Sequence, residues 1–572
     1  MVTDERNTLF IILARGGSKR LPGKNLLEVG GVPLVGRAVR TARAAARRLG
    51  GEARVVVSTD DEAIARTARD FGADTPFLRP PDLASDTASS IAALRHALGF
   101  FQARGETFHE VVLLQPTSPL TSAADVVAAL EELRRHPGAP VVTVSGASPG
   151  HAAFTYGLHD GTLAAASTGE LVALNGAVYA FRPEWLAGHD ALVVPGATRV
   201  FAMPPERSID VDTPADLDEA RAAWTRTLPW HADRCLVIAE AGVNHNGNMD
   251  AARRLIDAAA EARADAVKFQ AFSADRIVTR SAPKAAYQRT DTQTDESQQD
   301  MLRSLELTPE QLEQLAHHAR QRGIMFLASA FGEEDVDLLD SLDVASIKLG
   351  SGEITNHPLL AHAAHTGRPV ILSTGASWMR EVASAVECLR AAHCSGLALL
   401  HCVSSYPAEA GDANLRAMDT LSSAFGVPVG FSDHTLGHEV ALAAVARGAR
   451  IIEKHFTLDR TLPGPDHLAS LEPAELAEFV RAIRRTEAAL GDGIKRPLPS
   501  EEAVSQVARR SLVGATDLPA GTKVEFAHLV CKRPATGICP TRLADVLGLR
   551  LTRPLAADEV LTWAHFSPPD KP

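Results

Sequence analysis

Between residues 234 and 500 the sequence repeats one plan eight times: a short apolar run, a polar ending, then a helical stretch. The runs are CLVIAEAGVNHNG, AVKFQAF, MFLASAF, SIKLGSGE, PVILSTGAS, LALLHCVSSYP, PVGFSDHT and IIEKHFT. Eight strand-then-helix repeats predict a (β/α)8 barrel, whose reactive residues gather at the carboxyl ends of the strands. On that reading Glu240, Lys268, Ser329, Lys348, Glu353, Ser373, Tyr406, His434 and His455 meet at one mouth. Lysines and hydroxyls together suit a small phosphorylated acid. His434 and His455 end the last two strands, so both imidazoles reach one point. With carboxylates nearby they suit a divalent cation that keeps positions open for water and substrate. His401 reads instead as a packing residue at its strand end, and Ser373-Thr374 also suits a helix cap.

A chain of 572 residues is too long for one core and predicts three or four domains. The formal charge of −12 argues against nucleic acid or an anionic membrane as partner. No apolar run approaches the roughly 20 residues of a bilayer span, and the first residues lack a secretory cleavage pattern. Six cysteines without a CxxC pair fit reduced thiols, and hence a cytoplasmic enzyme.

Residues 1–228 form a separate unit, ending where TRTLPWHADR breaks the helical pattern. The unit opens FIILARGGSKRLPGKN, a strand that breaks into a basic, glycine-rich loop. Freed backbone N–H groups with Arg15, Lys19 and Lys24 suit a nucleoside triphosphate, although neither GxxxxGK[ST] nor GxGxxG is present. Strand–helix alternation in RVVVSTDDEAIARTARDFGA and EVVLLQPTSPLTSAADVVAALEEL predicts a doubly wound α/β sheet. In RSIDVDTPADL, Asp210 and Asp212 read as alternate residues of one strand, their carboxylates facing the same way as a Mg²⁺ clamp.

ARGGSKRLPGKN, LRPPDLASDTASS, LLQPTSPL, NGAVYAF and IDVDTPADL, in this order, resemble the CMP-sialic acid synthetase (N-acylneuraminate cytidylyltransferase) family. The resemblance implies that CTP and a 2-keto sugar acid give the CMP-sugar and pyrophosphate. It puts Arg15, Lys24 and Asn25 on the triphosphate, with Arg79, Ser90 and Gln115 around cytidine and sugar. Asn175 would face the sugar, and Asp210 with Asp212 would hold Mg²⁺ as catalytic residues. SPGHAAFTYGL and AAASTGELVALNGA lack the basic residues that many members direct at the sugar's acid end, and Thr121 stands where an arginine is usual.

AEAGVNHNG, ADAVKFQ, IKLGSGE, SSYPAEAGDANL, GFSDHTLG, EKHFTLD and PGPDHLASLEP resemble the sialic acid synthase family across residues 234–500. Members condense phosphoenolpyruvate with an N-acylated amino sugar, such as N-acetylmannosamine, to a nine-carbon 2-keto acid. The resemblance puts Mn²⁺ or Mg²⁺ on His434 and His455, and Lys268, Ser329, Lys348, Ser351, Ser404 and Ser432 around phosphoenolpyruvate. Glu240, Tyr406 and Asp466 would touch the acceptor, Glu353 would move a proton, and Glu353 with Lys348 would be the catalytic pair. FLASAFG replaces the commoner FLSTPF but keeps the Ser329 hydroxyl, and YPAEAG replaces YPAP.

Residues 508–568, with RRSLVGATDLPAGT and KRPATGI, resemble the antifreeze-like (SAF) domain that closes such synthases. In relatives it covers the partner's barrel, so the resemblance implies a swapped homodimer or higher oligomer, with Arg533 reaching the acceptor. The whole therefore reads as a bifunctional enzyme whose partners are small molecules. Rival readings are a synthase for a legionaminic or pseudaminic acid precursor, a first unit that only senses CTP or CMP-sugar, and a tail that binds from an inactive barrel.

Overall fold

A computed structural model describes residues 7–85, 88–146, 155–164, 170–280, 282–283 and 297–566. Two compact units result, Met1–Ala489 and Leu490–Pro572. Among the described residues no helix is long and apolar enough to cross a membrane.

The first unit begins with an eight-stranded sheet. Its strands are β1 (Thr8–Leu13), β4 (Ala53–Ser58), β5 (Glu110–Leu114), β6 (Val141–Gly146), β7 (Thr155–His159), β8 (Thr162–Ala164), β9 (Glu170–Phe181) and β10 (Arg199–Ala202). A small hairpin, β2 (Glu28–Val29) and β3 (Val32–Pro33), leads into helix α1 (Leu34–Leu49). The sheet order is β4-β1-β5-β9-β6-β10-β8-β7. The first three strands are parallel, as strand–helix alternation predicts, whereas β9 runs antiparallel to β5 and β6. Strands β1 and β5 carry apolar residues on both faces (FII, VVLL), so each face is covered by packed side chains. The parallel strands point their carboxyl ends, and the basic loop after β1, to one edge.

The barrel closes from β11 (Leu236–Gly242), β12 (Ala266–Ala271), β13 (Met325–Ala330), β14 (Ile347–Leu349), β15 (Val370–Ser373), β16 (Leu397–Cys402), β17 (Val429–Asp433) and β18 (Ile451–His455). All eight pairings are parallel, including β18 back to β11. Its lower interior is filled by Leu236, Ile238, Leu327, Ile371, Leu400 and Ile451, with Trp230 packed beneath. This apolar floor leaves only the carboxyl ends of the strands for polar chemistry.

The sheet docks on the opposite, amino end of the barrel. From α1, Arg47 pairs with Asp340, and Arg48 with Asp343 at 2.8 Å. Arg40 donates to the carbonyl oxygens of Ala364 (3.0 Å) and His393 (3.1 Å), and Trp224 Nε1 to that of Ser395 (2.8 Å).

The second unit pairs β19 (Ser511–Gly514) with β20 (Leu529–Lys532) antiparallel. Leu512, Leu518, Val524, Ile538, Val546, Leu555 and Leu561 make its small core. Isolated bridges such as Leu518–Leu555 supply most of its remaining β character.

Candidate active site

Period-two alternation decides what faces the barrel interior. Above the apolar floor stands a layer of buried charge: Glu240 on β11, Lys268 on β12, Lys348 on β14 and Glu453 on β18. Lys268 Nζ lies 2.6 Å from Glu240 Oε2 and 3.6 Å from Glu453 Oε2, and donates to Ser329 Oγ at 2.8 Å. Lys348 Nζ donates to Ser373 Oγ at 2.7 Å and lies 4.0 Å from Glu453 Oε1, which also accepts from Ser432 Oγ at 3.0 Å. Burial pushes Glu240 up to about 7 despite Lys268. Burial would raise Glu453 too, but Lys268, Lys348 and the Ser432 hydroxyl outweigh it and hold Glu453 down at about 2. Burial lowers Lys348, whereas the two glutamates outweigh it at Lys268, whose pKa rises. Two cations are thus balanced by two carboxylates within the buried layer.

The imidazoles of His434 and His455 meet over this layer, with ring centroids 5.7 Å apart. Tyr406 lies against both, at 4.2 and 5.8 Å. Burial lowers both imidazoles, His455 far below its ordinary value with the help of His434's charge. Neutral imidazole is the ligating form. His434 Nδ1 is tied to the Val403 carbonyl at 2.7 Å, which fixes the ring and leaves Nε2 3.4 Å from Ser432 Oγ. His455 Nδ1 is buried without a hydrogen-bond partner, 3.9 Å from Asp466 Oδ2. Gly242, at φ +53°, permits this convergence. A Cβ there would lie 3.2 Å from Glu240 Oε1, 3.4 Å from Asp466 Oδ2 and 3.5 Å from His455 Cε1.

The sequence resemblances place a divalent cation at both sites. Among the described residues, no three His, Cys, Asp or Glu side chains converge into a metal cage. An orphaned buried nitrogen beside a second neutral imidazole nevertheless fits a divalent cation, which His434 and His455 would hold. Asp433, next to His434 in sequence, is turned away: it pairs with Lys454 at 2.7 Å and accepts from Thr435.

Ser351, Cys402 and Ser404 ring Gly375 after β15. A Cβ on Gly375 would fall 2.9 Å from Ser351 Oγ, 2.7 Å from Cys402 Sγ and 2.3 Å from Ser404 Oγ. Ser351 Oγ also accepts from the Gly375 N–H at 2.9 Å. Glu353 follows in the same short 3-10 turn, half-buried, its Oε2 accepting from Asn356 Nδ2 at 2.8 Å. Arg533 is exposed just past β20 in the second unit.

The sheet carries its own cavity, about 250 Å³, at the carboxyl ends of β1 and β5. Arg15, Lys24, Asn25, Arg79, Ser90 and Gln115 all line it. Asn25 donates to the Arg15 carbonyl at 2.9 Å, and Arg79 donates to Ser58 Oγ at 3.1 Å. The helix Ser90–Gln102 begins at this wall, where Ser89 caps it by accepting from the Ile91 N–H. Asn175 does not line the cavity. It accepts from Thr143 Oγ1 at 2.6 Å and donates to Ser208 Oγ at 3.0 Å.

Asp210 and Asp212 do not lie on a strand, contrary to the sequence reading; they sit in an extended loop before the helix Pro214–Thr227. That loop is tied back by its Val211 N–H to the Thr117 carbonyl instead of joining the sheet. Asp212 pairs with Lys24 at 2.8 Å and with Arg20 at 3.4 Å. Burial raises Asp210, and the nearby charge of Asp212 adds to this. Asp210 and Asp212 would hold a divalent cation there, whose charge would offset that of a phosphate. The segments lacking the usual basic residues fall partly at 147–154 and 165–169, outside the described residues.

Glu453 is the central residue that the sequence reading passed over. Its signal was present: it stands two before His455 on the same strand, hence on the same face.

Comparison with known proteins agrees with this layout. A cytidylyltransferase model matches residues 9–162, the NeuB family model residues 255–495, and an SAF domain model residues 509–567. N,N'-diacetyllegionaminic acid synthase of Legionella pneumophila is 44% identical over 58% of this chain and 94% of its own length. The protein of the same name from Campylobacter jejuni is 44% identical over 57% of this chain and 99% of its own. Human N-acetylneuraminate-9-phosphate synthase is 36% identical over 57% of this chain and 91% of its own. The chain belongs to the NeuB family, with a cytidylyltransferase domain fused before the barrel and an SAF domain after it.

Proposed function

We propose that the barrel condenses phosphoenolpyruvate with an N-acylated amino sugar to a nonulosonic acid, which the first domain converts to its CMP-sugar. The observation that carries this reading is the buried Lys268–Glu240–Glu453–Lys348 layer beneath two neutral imidazoles. Lys268 and Lys348, with Ser329, Ser351, Ser404 and Ser432, bind the phosphate and carboxylate of phosphoenolpyruvate as fixed charges and donors. Glu240, Tyr406 and Asp466 hold the acceptor with its aldehyde toward carbon 3 of the enol. A divalent cation, Mn²⁺ or Mg²⁺ on His434 and His455, would supply Lewis-acid polarisation of the aldehyde oxygen. Carbon 3 bonds to the aldehyde carbon, water adds at carbon 2, and phosphate leaves by C–O cleavage. Glu353 takes up and returns the proton beside the new centre, while Arg533 of a second subunit reaches the acceptor.

In the first domain Arg15, Lys24 and Asn25 hold the triphosphate, with Arg79, Ser90 and Gln115 against cytidine and sugar and Asn175 behind. Mg²⁺ at Asp210 and Asp212 would offset charge on the phosphates. The sugar's anomeric hydroxyl displaces pyrophosphate from the α-phosphorus. Fusion raises the local concentration of the intermediate for the second step. Two relatives at 44% identity make an acid carrying two N-acetyl groups, which favours a diacetamido hexose over N-acetylmannosamine as acceptor.

Phosphate release across a panel of mono- and diacetamido hexoses, followed by pyrophosphate release with CTP, tests both halves. The reading expects both releases with one acceptor. Phosphate release without any pyrophosphate would reduce the first domain to a sensor.

A further inference from the structure

Between the sheet and the amino end of the barrel lies a cavity of about 510 Å³. Its walls come from α1 and the helix Pro214–Thr227 on one side, and from the loops before β14 and β15 on the other. Six arginines line it against three acidic residues, an excess of positive charge. Arg48 and Arg368 are matched by Asp343 and Asp340, and Arg207 by Asp125.

Apart from the exposed Arg226, the arginines left unmatched are Arg37 and Arg40. Neither has a carboxylate within ion-pair distance among the described residues. Arg37, only 7% exposed, donates Nε to the Val29 carbonyl at 2.6 Å and stacks on Trp224 at 3.9 Å. Its Nη2 has no acceptor. Arg40 spends its Nη atoms on barrel carbonyls and leaves a buried Nε without an acceptor. Both stand in the first two turns of α1, where the helix dipole already disfavours cations. Burial brings Arg37 down to about 9, with Arg40's charge contributing, and Arg40 itself down to about 10. Arg37, buried, and Arg40, half-buried, both line the cavity, and two adjacent cations without a carboxylate at its wall are a poor arrangement in themselves and a good one around an anion.

We propose that this seam binds a phosphate-bearing small molecule, with Arg37 and Arg40 as its anion-holding pair. The volume suits a molecule of metabolite size. A ligand touching both walls favours one docking of sheet on barrel. This inference concerns binding and does not depend on the proposed reactions.

Calorimetric titration of the full chain tests it with three separate probes: orthophosphate, phosphoenolpyruvate and CMP. Ala44→Phe fills the cavity from α1, and Arg37→Gln removes one charge. At least one probe is expected to bind the wild type with one more equivalent per chain than either variant, or at least tenfold more tightly at that equivalent. The probe that does so identifies the source of the phosphate. Ala44→Phe keeps the basal activities, and it decides the question alone if Arg37→Gln fails to fold. Equal stoichiometry and affinity in wild type and Ala44→Phe for all three probes would overturn the proposal.

Discussion

Replacing Lys348 by methionine removes one cation from the barrel layer while keeping most of the side chain's volume. Lys348 is 2% exposed, and its Nζ bonds Ser373 Oγ at 2.7 Å and the Leu349 carbonyl at 3.0 Å, 4.0 Å from Glu453. Glu453 keeps Lys268 at 3.6 Å, and each of the two stranded oxygens costs about 1–3 kcal/mol of stability, so thermal unfolding of the variant is measured first. Substrate binding suffers separately. A unit charge about 4 Å from a phosphate oxygen, at an effective dielectric near 20, contributes about 4 kcal/mol. That corresponds to a fall of about 10³-fold in kcat/KM for phosphoenolpyruvate. Phosphate release measured against phosphoenolpyruvate concentration reads the effect, with thermal unfolding and CTP turnover as controls. If kcat/KM stays within about threefold of wild type in a folded variant, Lys348 does not carry the anion and the assignment of the layer is wrong.

Other expectations rest on separate observations. Gly375→Ala drives a methyl into Ser351, Cys402 and Ser404, so phosphate release should drop about 10²-fold with CTP turnover unchanged; unchanged phosphate release would remove that cradle from the site. His434→Ala should silence phosphate release alone and Asp212→Ala CMP transfer alone, read by the two product assays on one preparation. A single substitution that abolishes both would argue against independent sites. Arg207 bonds the buried Asp125; burial raises this carboxyl, but Arg207 and Ser122 outweigh it and hold it below its ordinary value. Arg207→Met should therefore cost about 2 kcal/mol at pH 7, below the fully buried range because Arg207 is 37% exposed. A depressed carboxylate stabilises above its unfolded pKa, near 4, and stops doing so as pH falls through the folded value. The gap between wild type and variant in denaturant unfolding should be full at neutral pH and close below about pH 4; a gap that widens in acid would contradict this.

The barrel was legible because each strand announces itself twice, as an apolar run and as a polar ending, and periodicity carries both signals. His434 and His455 were found at strand ends, and Lys268 and Lys348 as polar breaks inside AVKFQAF and SIKLGSGE, whereas Glu453, an equal break inside IIEKH, was passed over beside the ending His455. Asp433, next to His434 in sequence, is sent by the same period of two to Lys454 on the other face. Asp210 and Asp212 looked like strand residues because alternation is also what an extended loop offers; hydrogen bonding to Thr117, invisible in sequence, decides between them. The docking of sheet on barrel rests on pairs such as Arg47–Asp340, nearly three hundred residues apart, and no local pattern encodes those.

Mass spectrometry of the products from phosphoenolpyruvate, a diacetamido hexose and CTP, with a divalent cation present, tests the central claim most directly. The account predicts a CMP-linked nine-carbon acid whose sugar portion carries all three phosphoenolpyruvate carbons, with one orthophosphate and one pyrophosphate released for each. Active, metal-replete protein that leaves phosphoenolpyruvate intact with every amino sugar offered would contradict it.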